Sequence, residues 1–252
     1  MTTWMNMTDM KALLRPSIEK NNVEQLKQVL SVIPPTNVKA ISWAIYHGHI
    51  ECLNLLIEAG FPLTSKATYW AIRFGRTEHL SLLLDAGCKL CHSALTVAAR
   101  FNHIETAKFL LAMGCLPDCS TLKEAVKFQH IDLLSLLVVV DSEKSESAIV
   151  QASASGNFQA LKLLIASGYP VSARAANFAA GKYPLCLEAL IRAGCPIDAQ
   201  TMMFAVKTRN AACVKILIAN GCPVTQEHYD FIDKYRYCEC DGIIERAFRR
   251  TR

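Results

Sequence analysis

Residues 48–60 read GHIECLNLLIEAG, an apolar segment with helical spacing that ends in an alanine and a glycine. Ile50, Leu53 and Leu56 recur at the spacing of one helical face. Glu51 falls in the first turn, where a carboxylate suits the positive end of the helix dipole. Gly60 provides the left-handed residue that commonly ends a helix. The segment therefore predicts a short helix with a sharp stop.

The same pattern returns along the chain with a period of about 27 residues, and three columns of residues share this period. The glycine column, with Asp141 at its skipped position, consists of Gly60, Gly87, Gly114, Gly168, Gly194 and Gly221. A column of small residues consists of Ala44, Ala71, Ala98, Ala125, Ala152, Ala179 and Ala205. An apolar column consists of Leu26, Leu53, Leu80, Ala107, Leu134, Leu161, Leu187 and Val214. Three columns with one period establish an internal repeat.

Each repeat predicts two short helices. Leu95, Ala98 and Ala99 form one apolar face, Asn102-His103 interrupts it, and residues 104–111 form a second face at helical spacing. Ser120-Thr121 and Thr201 are candidate caps for first helices. One such pair cannot bury its apolar face alone, so several repeats must stack, and the alanine column allows the helices to approach closely.

Residues 48–60 resemble the second helix and following glycine of an ankyrin repeat, and residues 95–103 resemble the first helix of the next one. Ankyrin repeats usually run 33 residues, so about six are missing here, where the β-hairpin finger would lie. The connector in residues 194–201 resembles that of the short ankyrin-like repeats of protists and their large DNA viruses. The resemblance implies an all-α solenoid of about eight stacked helix-turn-helix repeats that lack most β-hairpin fingers.

The repeat pattern divides the chain into three regions. We expect residues 1–16 to form an N-terminal extension or partial cap, residues 17–224 the repeat array, and residues 225–252 a C-terminal cap with a basic tail. A terminal repeat needs a polar outer face, which is the role we expect of the charged C-terminal segment. The polar run in residues 141–147 keeps the period, so we interpret it as an exposed connector within the array.

Composition indicates a globular chain without membrane spans. The 252 residues are 52% hydrophobic and 19% charged, with a formal net charge of +5. The longest strongly apolar run, residues 133–140, is far shorter than the roughly 18 residues that a spanning helix needs. Eleven cysteines in a chain that can build its own core indicate reduced thiols. We therefore expect a cytoplasmic location, with the nucleus as the alternative, and no membrane association.

Two cysteine patterns in the sequence have spacings that occur in metal or cofactor sites. Cys88, Cys91 and His92 match the spacing that attaches haem, but Cys88 shares a repeat column with Cys115, Cys195 and Cys222, which accounts for its presence. Cys88, Cys91, Cys115 and Cys119 offer zinc ligands, but equivalent residues of packed helices lie about 8–10 Å apart, too far for one zinc ion. We expect Cys238 and Cys240 to be buried or incidental rather than a pair of metal ligands. We expect neither a metal nor a cofactor.

The sequence contains no set of residues that indicates catalysis. His49, His103 and His130 share one column at the start of the second helix, where a histidine commonly bonds backbone groups of a neighbouring repeat. No nucleophile with a base and acid, no phosphate-binding glycine loop and no paired carboxylates occur at a suitable spacing. We expect that the protein is not an enzyme.

A row of cations and rings stands at the end of successive first helices. In ankyrin repeats the matching positions face the concave side and contact partners, so the resemblance implies a binding stripe. We call it the cation–aromatic stripe, and it consists of Tyr46, His47, Arg73, Phe74, Arg100, Phe101, Lys127 and Phe128. Such a row suits an acidic or aromatic-bearing peptide. The alternative is that the phenylalanines pack between repeats while the cations are solvated.

These observations favour a non-catalytic protein–protein interaction module that binds its partner along the concave face. One alternative is a substrate-recruiting adaptor for a larger complex such as a ubiquitin ligase, although neither terminal segment contains a recognisable recruiting helix. A weaker alternative is nucleic-acid binding through the basic residues 246–252.

Overall fold

The computed structural model describes residues 7–235 and 240–250, and all regular secondary structure in these ranges is helical. The helices are α1 (Met7–Glu19), α2 (Val23–Leu30), α3 (Ala40–His47), α4 (Ile50–Glu58), α5 (Ser65–Arg73), α6 (Thr77–Asp85), α7 (Ala94–Arg100), α8 (Ile104–Ala112), α9 (Cys119–Lys127), α10 (Ile131–Val140), α11 (Glu146–Ser155), α12 (Phe158–Ala166), α13 (Ala173–Lys182), α14 (Pro184–Arg192), α15 (Ala199–Lys207), α16 (Ala211–Ala219), α17 (Gln226–Lys234) and α18 (Cys240–Arg250). Odd-numbered helices are the first helices of pairs, and even-numbered helices are the second.

The pairs are distributed over two compact units that divide between Leu116 and Pro117. Unit 1 contains α1–α8, and unit 2 contains α9–α18. Within unit 1, α3 packs on α1 and α5, and α4 packs on α2 and α6. Within unit 2, α11 packs on α9 and α13, and α12 packs on α10 and α14. Each unit is therefore a stack of helix pairs, and the predicted all-α repeat fold is confirmed.

The repeat columns form the core of both units. Every member of the alanine column, from Ala44 to Ala205, has an exposed fraction of 0%. The same value holds for the apolar column, from Leu26 to Val214. Because the alanine side chain is short, first helices of adjacent pairs can pack closely at these positions. The period of the sequence thus predicts which side chains are buried.

Helix ends follow the predicted glycine pattern, whereas two helix starts differ from the prediction. Gly60 and Gly87 follow α4 and α6 with φ of 78° and 83°, a left-handed conformation that costs a glycine little. At the start of α9 the cap is Asp118, whose carboxylate accepts a hydrogen bond from the Thr121 backbone at 2.7 Å. Asp198 caps α15 in the same way through Thr201. A carboxylate is the better acceptor here, so Ser120 and the two threonines lie inside the first turn.

The polar run in residues 141–147 also differs from the prediction at its first residue. Asp141 is buried, although residues 142 and 143 are exposed as expected. Its carboxylate accepts hydrogen bonds from the Glu143 backbone and from the Tyr169 hydroxyl. The burial of this one carboxylate therefore depends on partners in the folded chain.

The C-terminal segment forms the last helix pair of unit 2. Phe248 on α18 stacks on Tyr229 of α17, with ring centroids 5.2 Å apart. Arg246 donates a hydrogen bond to the Gly242 carbonyl at 2.7 Å, so this basic residue lies on an ordered helix. Cys238 lies outside the described residues. No helix within residues 7–235 and 240–250 has the length and apolar character needed to cross a membrane.

Candidate functional site

The repeat places each pair of stripe residues at the carboxyl end of a first helix. In unit 1, Tyr46-His47 ends α3, Arg73-Phe74 ends α5 and Arg100-Phe101 ends α7. Tyr46 and Arg100 are exposed, and the other four side chains are half-buried. In unit 2, Lys127-Phe128 ends α9, and both side chains are exposed. Lysine and arginine at this end also complement the negative pole of the helix dipole.

Rings and cations of unit 1 contact each other across adjacent repeats. Tyr46 meets Phe74 edge to face, with ring centroids 5.2 Å apart. The Arg73 guanidinium carbon lies 4.9 Å from the centroid of the Phe101 ring, a cation–π geometry. Phe74 and Phe101 are thus half-buried against neighbouring repeats. The packing orders these side chains before any partner arrives.

The positive charge of Arg73 is not neutralised by a carboxylate among the described residues. Its Nη1 donates a hydrogen bond to the Tyr69 hydroxyl at 3.1 Å, and its guanidinium also lies 5.4 Å from the Trp70 ring centroid. Both contacts are with aromatic side chains, so the guanidinium keeps its charge for an anionic group. A planar guanidinium is well suited to a carboxylate that binds through both oxygens.

Residues at the start of second helices join adjacent repeats through the backbone. His103 Nε2 donates a hydrogen bond to the Arg73 carbonyl at 2.8 Å, and His49 Nε2 bonds the Glu19 carbonyl at 3.3 Å. Asn157 extends the pattern in unit 2, because its Nδ2 donates to the Val126 carbonyl at 3.0 Å. The structural interpretation of His49 and His103 is therefore correct. The His103 bond also holds the main chain of the stripe residue Arg73.

An aromatic groove between α3 and α5 is a feature that sequence reasoning missed. It encloses about 700 Å³, and Trp43 and Trp70 lie in its lining beside Tyr46 and Phe74. The two tryptophans are 27 residues apart and therefore occupy the same position of adjacent repeats. That spacing is the signal that could have revealed the groove. The groove adds an apolar surface to the stripe in unit 1.

Cysteines of one repeat column form hydrogen bonds to the connectors, the segments that join successive helix pairs. Thiols of Cys88, Cys195 and Cys222 each donate to a connector carbonyl of the preceding repeat, at 3.2, 3.1 and 3.1 Å. Burial raises the pKa of these thiols, to about 11 for Cys222, so they stay protonated at neutral pH. Cys91 and Cys115 are half-buried with raised pKa values for the same reason. The geometry gives the column a structural role.

Comparison with known families agrees with the helix-pair stack. The family model described as "Ankyrin repeats (3 copies)" matches residues 41–121. Residues 41–121 are ankyrin repeats. Most of the stripe and all lining residues of the aromatic groove other than Val38 and Lys39 fall inside these ankyrin repeats.

Solved structures show the same fold over a larger part of the chain. The human ASB11 ankyrin repeat domain is 20% identical, with a TM-score of 0.59 over 71% of this chain and 96% of that one. The ankyrin repeat domain of Bcl-3, described as a unique member of the IκB protein family, is 20% identical, with a TM-score of 0.50 over 62% and 86%. At this identity the likeness shows the ankyrin fold alone. No curated protein matches the chain.

Proposed function

We propose that this chain is a non-catalytic interaction module whose protein partner binds the face formed by the ends of the first helices. Ankyrin repeat domains generally mediate protein–protein interaction. The partner's contact surface is acidic, and it carries aromatic or other apolar groups. The proposal extends to a cytoplasmic location, which the ten free cysteine thiols of the described residues support.

The observation that carries the proposal is the placement of Arg73 over Phe101. The cation is held by rings at 4.9 and 5.4 Å and has no carboxylate partner among the described residues. An interface hot spot usually combines an arginine or aromatic anchor with neighbouring groups that exclude water. Arg73 with Phe74 and Phe101 supplies both parts. Because the side chain of Arg73 is already ordered by these contacts, it loses little conformational entropy when a partner binds.

Arg100 repeats the charge one helix pair later, and Lys127-Phe128 repeats the cation and ring in unit 2. A partner that contacts several repeats gains from each small contact without a deep pocket. Within unit 1, electrostatic attraction to Arg73 and Arg100 raises the association rate of an acidic partner. These features support a partner that binds along the helix ends.

The test is affinity capture from the native cell with a charge-reversed variant, Arg73→Glu with Arg100→Glu. We expect loss of the captured partner without a lower melting temperature. The matched control is Lys108→Glu with Lys162→Glu, which changes the net charge equally on the exposed faces of α8 and α12. Equal capture by the stripe variant and the wild type would remove the stripe as the binding surface.

A further inference from the structure

The aromatic groove of unit 1 has a lining in which positive charge and rings are combined. The lining side chains belong to α3, α5 and the segments that precede these helices. They are Val38, Lys39, Ser42, Trp43, Tyr46, Thr64, Ser65, Lys66, Trp70 and Phe74. Two of the ten are lysines and none is acidic, so the groove has a positive rim around an apolar floor.

The floor is ordered by contacts between its own rings. Trp70 stacks on Phe74 with a centroid distance of 5.6 Å and an interplanar angle of 11°. Phe74 in turn meets Tyr46 edge to face. Rings fixed in this way lose little conformational entropy when a ligand binds, and they give a large apolar contact area. The floor suits one inserted aromatic or large aliphatic side chain.

The charges around the floor select the chemistry of the ligand. Lys39 and Lys66 hold equivalent positions 27 residues apart, and both are exposed and form no ion pair among the described residues. Arg15 lies 5.5 Å from the Trp43 ring centroid, and Arg73 lies 5.4 Å from that of Trp70. Arg15 forms an ion pair with Glu19 at 2.6 Å, which leaves Lys39, Lys66 and Arg73 without a carboxylate partner among the described residues. Three such cations beside the rings oppose a cationic ligand and favour carboxylates.

The groove opens to solvent along one side, where Val38 and Tyr46 are 59% and 60% exposed. A small-molecule site usually buries most of its ligand, whereas a peptide keeps one side in water. We propose that the groove binds an acidic peptide segment of the partner protein, with one aromatic or large aliphatic side chain on the ring floor and carboxylates at Lys39 and Lys66. This inference rests on the proposed function, and it assigns the acidic and apolar contacts of the partner to one peptide segment in this groove.

The test starts from selection of random 12-residue peptides displayed on phage against the full chain. We expect the enriched peptides to contain aspartate or glutamate near one aromatic or large aliphatic residue. Binding of a synthetic enriched peptide is then measured by fluorescence polarisation. The variant Lys39→Glu with Lys66→Glu should raise its Kd at least tenfold, because both cations are replaced by anions. Lys108→Glu with Lys162→Glu should leave the Kd within twofold.

Three results would overturn the groove proposal: no enriched peptide, enriched peptides without acidic residues, or equal Kd values for the groove variant and the wild type. Both lysines are exposed, so we expect the groove variant to melt at the same temperature as the wild type. Equal melting temperatures would show that a higher Kd does not come from unfolding. Capture of the native partner separates the two proposals. Loss of capture with the Arg73 and Arg100 variant, but not with the Lys39 and Lys66 variant, rejects only the groove. Undiminished capture by both variants rejects both.

Discussion

The Tyr169 hydroxyl donates a hydrogen bond to the carboxylate of Asp141, which lies 28 positions earlier at the end of α10. Both side chains are buried, with exposed fractions of 4% and 5%. Asp141 stands in the glycine column of the repeat, and Tyr169 stands in the column that has cysteine at residues 88, 115, 195 and 222. At this connector the pair forms a bond between two side chains, where Cys88, Cys195 and Cys222 form a thiol-to-carbonyl bond.

Tyr169→Phe should lower the free energy of unfolding by about 1.5–3 kcal/mol, because a buried carboxylate then loses its hydroxyl donor. Burial and the Asp141 carboxylate raise the pKa of Tyr169, so the hydroxyl remains a donor throughout the neutral range. Urea unfolding at pH 7 measures the change. Tyr183→Phe is the control, since Tyr183 is half-buried and its hydroxyl forms no hydrogen bond among the described residues. A loss below about 0.5 kcal/mol for Tyr169→Phe would contradict the role of the pair.

Asn157→Ala should cost about 2 kcal/mol, roughly twice the loss in Asn210→Ala. Asn157 accepts the capping bond from the Ala160 backbone and also donates to the Val126 carbonyl of the preceding repeat, both at 3.0 Å. Asn210 caps α16 by a bond from the Cys213 backbone at 3.2 Å. Chemical unfolding of both variants gives the comparison. Equal losses would mean that the bond between repeats adds nothing.

His79 should make the chain less stable at mildly acidic pH. His79 is 4% exposed, and its Nε2 has no hydrogen-bond partner among the described residues. Burial, with Arg76 and His49 nearby, lowers the pKa of His79 below its ordinary 6.5, and Glu78 opposes this shift. Below about pH 6.5 the unfolded chain therefore binds a proton that the folded chain does not, so stability falls as pH falls.

His79→Leu places at this position the residue that α10 carries at Leu133. Urea midpoints measured between pH 5 and 8 should depend less on pH in this variant. At pH 7 we expect an unchanged or higher stability, by about 1 kcal/mol, because an unpaired buried nitrogen is removed. A pH dependence identical to that of the wild type would show that His79 is not the titrating group.

Ala98→Leu should lower stability by about 1–3 kcal/mol, because Ala98 is 0% exposed and three added carbons must displace packed neighbours. Ala112→Leu at the exposed end of α8 is the matched control and should change stability by less than about 0.5 kcal/mol. Thermal unfolding compares the two variants. Similar melting temperatures would mean that close packing does not require the alanine column.

Much of the fold can be predicted from the sequence because one period determines which face of each helix is buried. Ala98 and Leu53 belong to columns that repeat every 27 residues, and burial follows the columns. The capping residues are harder to predict, because Asp118 and Thr121 both suit the start of a helix. Only the hydrogen bond in the structure identifies Asp118 as the cap. The burial of Asp141 depends on a partner 28 residues away, which local polarity does not reveal.

The candidate site was predicted only in part. The period places Arg73 and Phe101 at ends of adjacent first helices, but the distance between them depends on side-chain rotamers. The groove escaped prediction because its column contains tryptophan in only two repeats. That column reads Trp43, Trp70, Val97, Glu124, Gln151, Phe178 and Phe204. A ring floor between α3 and α5 therefore follows from side-chain packing, which the repeat pattern alone does not specify.

Hydroxyl-radical footprinting of the chain, alone and bound to its captured partner, tests the binding face most directly. Oxidation should fall severalfold at Tyr46, Trp70 and Phe74 when the partner is bound, because those rings then lose contact with water. Val139 on α10 and Leu185 on α14, which are 82% and 63% exposed, should be oxidised equally in both states. Protection of Val139 and Leu185, with undiminished oxidation of the three rings, would contradict binding at the ends of the first helices.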